Sequence, residues 1–164
     1  MQILLVRHGD AVEHGARTDG ERWLTQKGRR TTRAVAAALR AEGVTLQRMF
    51  TSPLVRAVQT CEIVASDHAF EGPLEVLAAL VPSGDASDVV LALDGIDDGQ
   101  IVALVGHEPS MSALAAHLLG VAFPPFKKSA VCAIRRSPSG RYGFEWMLLP
   151  KTLERVVSLD GLDV

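Results

Sequence analysis

Arginine and histidine occur together at places in this sequence where an apolar run gives way to polar residues. Arg7-His8-Gly9 directly follows the first apolar run. Arg56 comes shortly after the second run, and His107 comes after a run at 101–105. Arginine suits bidentate contact with phosphate oxygens, and a neutral imidazole offers a ring lone pair. These residue types therefore predict chemistry on a phosphoryl group, with a nucleophile and an anion clamp close together.

Each of these residues also has a plain structural interpretation. Arg7 alone would be a surface charge at a strand end, His8 a polar residue at the end of a sheet, and His107 a packed structural histidine. Arg7 beside His8 favours the neutral imidazole at pH 7, because a nearby cation disfavours a second positive charge. Their joint occurrence after predicted strands favours the functional interpretation.

The elements around these residues predict how they come together. Apolar runs and turn signals predict strands at 1–7, 47–51, 74–77, 101–105, 129–135 and 142–149. Apolar residues at helical spacing predict helices at 25–42, 53–64, 86–93 and 110–119. This alternation predicts a three-layer α/β/α fold with a mainly parallel central sheet and an antiparallel hairpin, formed by the last two strands, at its edge. The carboxyl ends of parallel strands meet at one edge of a sheet, where ligands bind.

The predicted start of the second helix places Arg56. Ser is a preferred N-cap residue and Pro suits the first helical position, so Ser52-Pro53 predicts a helix start. Arg56 then lies in the first turn, where the helix dipole disfavours a cation. A purely structural role is thus a poor explanation of this arginine.

Length and charge exclude several classes of protein. The 164 residues suit a single domain over 1–164, and 17 Lys and Arg against 19 Asp and Glu argue against a nucleic-acid partner. No run reaches transmembrane length, and the first apolar run is too short for a signal peptide, so we expect a cytoplasmic protein without a membrane partner. Cys61 and Cys132 lie at apolar positions and are predicted core residues.

The motifs resemble, in order, those of the histidine phosphatase superfamily. The segment 5–9 is similar to the family signature, 51–60 to its second motif, and 105–109 to its third. The resemblance runs from residue 1 to about 150. The short chain, the segment 7–11 and the third motif are most similar to the small SixA-type phosphohistidine phosphatases.

The resemblance implies a role for each motif residue. His8 would be the nucleophile and become transiently phosphorylated, while Arg7, Arg56 and His107 would hold the phosphoryl oxygens. Gly9 would let the backbone approach the ring and help fix its tautomer. Ser52 would add a supporting hydroxyl, although helix capping is its stronger assignment. No metal or cofactor is implied, and phosphate or sulfate is expected to bind the site.

The general acid is not identified by the sequence. Larger family members commonly use a glutamate in the loop after the third strand, and residues 79–85 contain none. Asp85 is the nearest carboxylate, and Asp10, Asp19 and Glu108 are further candidates. An imidazole leaving group needs less protonation than an alkoxide, because its conjugate acid has a pKa of about 6.5. The missing acid therefore favours phosphohistidine as substrate.

Short loops also favour a protein substrate. The loops at 9–24 and 78–86 leave little chain for a lid, so the predicted pocket is open to a side chain on a folded protein. We therefore predict a protein phosphohistidine phosphatase. Lys127 and Lys128 either line the rim of the site or form a solvated pair.

Three alternatives remain open at the level of sequence. The first is a phosphatase of the same superfamily acting on small phosphate monoesters. The second is a non-catalytic phosphate-binding module. The third is a metal-dependent phosphoesterase built on Asp10 and His14 near His8, although no HExxH motif or dense Asp/His cluster supports a metal.

Overall fold

The computed structural model describes residues 1–13 and 18–162. The strands are β1 Gln2–Arg7, β2 Arg48–Thr51, β3 Leu74–Val76, β4 Ile101–Gly106, β5 Val131–Arg136, β6 Tyr142–Leu148 and β7 Arg155–Val156. The helices are α1 Gln26–Ala41, α2 Val55–Asp67, α3 Ala86–Leu93 and α4 Ser110–Leu119. Short 3₁₀ turns occur at Asp19–Glu21, Ala78–Leu80 and Leu159–Leu162. No helix in the described ranges combines the length and apolar character needed to cross a membrane.

The strands form one sheet in the order β3-β2-β4-β1-β5-β6-β7. The first four strands are parallel to one another, and β5, β6 and β7 join antiparallel beside β1. The predicted α/β fold with its antiparallel hairpin is therefore confirmed. The two-residue β7, which was not predicted, pairs with Met147 and Leu148 at the end of the hairpin.

Alternate side chains of β1 enter two different cores. Ile3 and Leu5 pack with apolar residues of α3 and α4 on one face of the sheet. Leu4 and Val6 pack with residues of α1 and α2 on the other face. Because both faces are covered, the strand is apolar throughout, as is typical of buried parallel strands. The two thiols, Cys61 and Cys132, are buried and free, as predicted.

The helix ends agree with the predictions except at α2. Thr25 caps α1 by accepting the Gly28 N–H at 3.0 Å. The predicted start of α2 at Ser52-Pro53 is wrong, because the helix begins at Val55 and the preceding residue is extended. Ser52 therefore belongs to the junction between β2 and the helix, and its hydroxyl is free for another partner.

Candidate active site

The strand order brings the predicted site residues to one edge of the sheet. β4 lies between β1 and β2, and Arg7 of β1 is in register with Gly106, next to His107. The rings of His8 and His107 have centroids 4.8 Å apart, and Arg56 Nε lies 3.3 Å from His8 Nε2. His8, Arg56 and His107 are 7%, 3% and 1% exposed, so polar groups from three separate segments meet in a buried cluster.

The tautomer of His8 follows from its hydrogen bonds. Its Nδ1 lies 2.6 Å from the carbonyl oxygen of Gly9, which can only accept a hydrogen bond. Nδ1 therefore carries the ring proton and Nε2 keeps the lone pair. Arg56 Nε donates toward that lone pair. The ring nitrogen that carries the lone pair, His8 Nε2, thus faces the Arg56 guanidinium in the interior of the site.

Burial keeps both histidines neutral at pH 7. The pKa of His8 is lowered to about 4, chiefly by burial; the hydrogen bond to Gly9 raises it, and the Arg56 and Arg7 cations lower it. Burial lowers the pKa of His107 to about 3, with the neighbouring His8 as the next cause. The ring lone pair needed for nucleophilic attack is therefore present without an added base.

Ser52 contacts His107 instead of capping a helix. Its Oγ lies 2.8 Å from His107 Nε2 and accepts the Leu54 N–H at 3.3 Å. Among the described residues, His107 Nε2 is the acceptor within hydrogen-bond distance of the Ser52 hydroxyl, so the Ser52 proton goes to Nε2 and the His107 proton is left on Nδ1. This Nδ1 is buried and has no hydrogen-bond partner among residues 1–13 and 18–162. His107 can therefore offer an N–H to an anion in the site.

The guanidinium of Arg56 is shared between His8 and Asp19. Its Nη1 donates to the Asp19 backbone oxygen at 2.7 Å, and its Nη2 to Asp19 Oδ2 at 2.9 Å. The side chain of Asp19 is 60% exposed, whereas that of Arg56 is 4% exposed. The loop that carries Asp19 thereby orients a buried cation from the solvent side, a role that the sequence did not indicate.

Arg7 is held by the backbone that precedes β5. Its Nη1 donates to the carbonyl oxygen of Phe126, and its Nε is buried without a partner in the described part of the chain. Burial lowers the pKa of the Arg7 guanidinium, and the Glu108 carboxylate acts in the opposite direction. The Ser129 N–H donates to the carbonyl oxygens of Arg7 and His8 at 3.1 and 3.2 Å. Ser129 adopts φ +67°, an unusual conformation for a residue with a Cβ, which sequence reasoning did not predict.

Gly9 and Thr60 connect the segment that follows β1 to α2. The Gly9 N–H donates to Thr60 Oγ1 at 3.1 Å, and that hydroxyl donates to the Arg56 carbonyl oxygen at 2.7 Å. A Cβ on Gly9 would lie 2.7 Å from Thr32 Oγ1, so only glycine fits there without a shift. Thr60 was missed in the sequence, although its position four residues after Arg56 places it on the same helix face.

The three aspartates proposed as general acid are held in their ionised form. Lys128 and Thr25 lower the pKa of Asp10 through bonds of 2.5 and 2.8 Å. Arg22 and Arg56 likewise lower the pKa of Asp19. Asp85 caps α3, and its bonds to Ser87 lower its pKa. A carboxyl with a lowered pKa is a poor proton donor near neutral pH.

Glu108 differs from these aspartates because no cation forms an ion pair with it among the described residues. Its Oε2 accepts the Ser112 hydroxyl at 2.7 Å, and its Oε1 is buried without a partner in the described ranges. The residue directly follows His107. It is thus the remaining carboxyl candidate at the site edge.

The two rim lysines have different surroundings. Lys128 is paired with Asp10 at 2.5 Å, and both Lys127 and Lys128 line a cavity of about 800 Å³ beside Arg7. Within residues 1–13 and 18–162, no group of three His, Cys, Asp or Glu side chains is placed to hold a metal ion. His14, named in the metal hypothesis, lies outside the described residues.

Comparisons with known proteins point to one family. The model of the histidine phosphatase superfamily (branch 1) matches residues 3–81. The phosphohistidine phosphatase SixA of Escherichia coli (strain K12) is 33% identical over 157 residues, covering 94% of this chain and 97% of that protein. A solved structure of the protein histidine phosphatase SixA complexed with tungstate matches with a TM-score of 0.88 and 34% identity, covering 94% of this chain and 100% of that one. A mycobacterial glucosyl-3-phosphoglycerate phosphatase complexed with VO3 shares the fold alone, with a TM-score of 0.71 and 16% identity over 88% of this chain and 97% of that one.

Proposed function

This chain belongs to the histidine phosphatase superfamily, and we propose that it hydrolyses phosphohistidine on a protein through a phosphoenzyme formed on His8. The observation that carries the proposal is the His8 ring, whose Nδ1 proton is fixed on the Gly9 carbonyl oxygen while Nε2 faces Arg56. The identity to a phosphohistidine phosphatase over nearly the whole chain supports this substrate class.

The first step transfers the phosphoryl group to the enzyme. The lone pair of His8 Nε2 attacks phosphorus, and the P–N bond of the substrate breaks. The electron pair of that bond stays on the substrate ring, whose other nitrogen has taken a proton from solvent, so the ring leaves as neutral imidazole. His8 needs no base for this attack because its ring is already neutral, with a pKa of about 4. Throughout the step the Nδ1–H keeps its hydrogen bond to Gly9.

The second step returns the enzyme to its starting state. Water attacks phosphorus, the P–Nε2 bond breaks, and its electron pair returns to His8. The water proton passes to phosphate or solvent, and phosphate leaves.

Three side chains stabilise the charge on the phosphoryl oxygens in both steps. Arg7 and Arg56 supply guanidinium N–H groups, and His107 supplies the Nδ1–H that its bond to Ser52 leaves available. Such donors act strongly because they are held in place and shielded from water. Loss of one typically lowers the rate by about 10²–10³.

The carboxylates around the site favour an imidazole leaving group. Asp10, Asp19 and Asp85 have lowered pKa values and are poor acids. An alkoxide leaving group needs a proton donor, whereas imidazole leaves with less help because its conjugate acid has a pKa of about 6.5. Phosphohistidine is therefore the substrate class that suits this set of side chains.

A second candidate function rests on Glu108. Its Oε1 is buried without a partner among the described residues, so Glu108 is the carboxyl that would act as general acid toward a small phosphate monoester. This alternative predicts efficient cleavage of p-nitrophenyl phosphate and a large loss in Glu108→Gln.

The test is release of inorganic phosphate from a histidine-phosphorylated carrier protein in the presence of EDTA. Wild type should turn over, and His8→Ala should be inactive and form no acid-labile phosphoenzyme. His68→Ala is the matched control, because His68 lies at the end of α2 and bonds only its own helix among the described residues. A folded wild type that leaves the carrier protein untouched but cleaves p-nitrophenyl phosphate would contradict the proposal.

We also propose that the protein acts in the cytoplasm. The two buried free thiols, Cys61 and Cys132, suit a reducing compartment. Localisation of a tagged full-length chain by cell fractionation tests this placement, and recovery from the extracytoplasmic fraction would contradict it.

A further inference from the structure

A groove of about 800 Å³ opens beside Arg7. We call it the lysine groove. Its cationic lining consists of Arg7, Lys27, Lys127, Lys128 and Lys151. Leu149 and Pro150 supply apolar lining from the end of β6. The groove is larger than a phosphoryl group needs, so it has room for part of a larger partner.

The charge of the lysine groove is opposite to that of the whole protein. The chain has a formal net charge of −2, yet Asp10 is the one carboxylate among the described residues that line the groove, and it is already paired with Lys128. Lys27, Lys127 and Lys151 are exposed and form no ion pair with the described residues. Three positive charges are thus available to a partner.

The groove is fixed in position relative to the nucleophile. Lys127 and Lys128 directly precede Ser129, whose N–H binds the carbonyl oxygens of Arg7 and His8. Arg7, which directly precedes His8, lines the groove with its side chain, and its bond to the Phe126 carbonyl oxygen holds that side chain in place. A partner that inserts its phosphoryl group at His8 therefore places its adjoining surface over the lysine groove.

We infer that the lysine groove binds carboxylates on the protein surface that surrounds the substrate phosphohistidine. This inference rests on the proposed function and adds the chemistry of the partner. A phosphohistidine ring is short, so the folded protein that carries it must approach the mouth of the site closely. Positive charge facing negative charge accelerates such an encounter and fixes its orientation. The groove thereby selects acidic carrier proteins.

An acidic protein suits the groove better than a nucleic acid. Single-stranded nucleic acids are bound by aromatic side chains on which bases stack, and the residues that line this groove include no aromatic ring. Leu149 and Pro150 instead offer apolar contact of the kind found between proteins.

The test compares two versions of one histidine-phosphorylated carrier protein. One has carboxylates around the phosphohistidine, and the other has them changed to amides. Lys27→Glu combined with Lys151→Glu should lower kcat/KM for the acidic version by about tenfold at low salt, because exposed charges at an interface act on association. The loss should shrink as salt is added. Hydrolysis of free phosphohistidine should be unchanged, since neither lysine contacts the phosphoryl site.

Arg33→Glu combined with Arg141→Glu is the matched control. It changes the net charge equally at exposed positions outside the groove, and should leave kcat/KM close to wild type. If wild type is active and the lysine variant has the same kcat/KM, the inference is overturned and the proposed function is not affected. The inference would also be overturned if wild type bound a single-stranded oligonucleotide tightly and the lysine variant did not. An inactive wild type would instead contradict the proposed function.

Discussion

Ser52 Oγ lies 2.8 Å from Nε2 of His107, and both side chains are buried. Among the described residues, Nε2 is the acceptor that the Ser52 hydroxyl proton can reach. This arrangement places the His107 proton on Nδ1. If His107 holds the phosphoryl group as we propose, Ser52 is a positioning residue that acts through it.

Removal of this hydroxyl should lower the rate without weakening substrate binding to a similar extent. We expect Ser52→Ala to reduce kcat about fivefold with little change in KM, because a buried hydrogen bond of this kind contributes about 1 kcal/mol. Ser52→Thr keeps the hydroxyl and should recover most of the rate. Steady-state kinetics on a phosphohistidine protein, with thermal melting to verify folding, provide the measurement. Full activity of Ser52→Ala would contradict the assignment.

The lowered pKa of His8 predicts an unusual pH profile. A histidine with the ordinary pKa of 6.5 would be about tenfold less available as a nucleophile at pH 5.5 than at pH 8. With a pKa of about 4, His8 stays neutral over this range. The rate of phosphoenzyme formation, measured by rapid quench under single-turnover conditions, should thus vary less than twofold between pH 8 and 5.5. A clear fall with a midpoint near 6.5 would contradict the burial argument.

The same pKa values make folding stability depend on pH. In the unfolded chain His8 and His107 bind protons below pH 6.5, whereas in the folded protein their pKa values are about 4 and about 3. The unfolded state binds more protons in this window, so stability falls as pH drops from 6.5 toward 4. The loss should be on the order of a few kcal/mol. Urea unfolding of wild type and His8→Asn at pH 7 and 4.5 tests this pH dependence. The free energy of unfolding should fall less in the variant than in wild type.

Asp19 accepts a hydrogen bond from the guanidinium that we propose holds the phosphoryl oxygens. Its carboxylate accepts from Arg56 Nη2 at 2.9 Å, so on that proposal it occupies a donor that a phosphoryl oxygen would use. We expect Asp19→Asn to tighten inhibition by inorganic phosphate about two- to fivefold, since an ion pair with an exposed carboxylate contributes up to about 1 kcal/mol. Product-inhibition constants measure this effect. Unchanged or weaker inhibition would contradict this account.

Gly28 allows α1 to pack against the loop that carries the nucleophile. A Cβ at this position would lie 2.1 Å from the Asp10 backbone oxygen. Gly28→Ala should therefore destabilise the protein by about 1–3 kcal/mol, as expected for overpacking, and lower activity by displacing residues 9–10. Gly99→Ala is the control, because its Cβ would meet nothing within 4 Å. Equal melting temperatures for the two variants would contradict this account.

The sequence by itself determined the α/β fold and the positions of the site motifs along it. Apolar periodicity depends on local residue order, so the run at 101–105 predicted β4, and apolar residues at helical spacing predicted α4. The parallel arrangement then placed Arg7 and His107 at the same sheet edge. The predictions for these elements were reliable because short-range patterns and one topological rule are sufficient.

The tertiary structure alone decided which partners these residues have. Ser52 was a good local candidate for a helix cap, yet it bonds His107, which is 55 residues away in sequence. Asp19 was one carboxylate among several until the fold placed it against Arg56. Such contacts depend on distances between side chains from different elements, and local sequence patterns do not encode these distances. The same limit applies to the pKa values, because burial, the main cause of the His8 shift, exists only after the chain has folded.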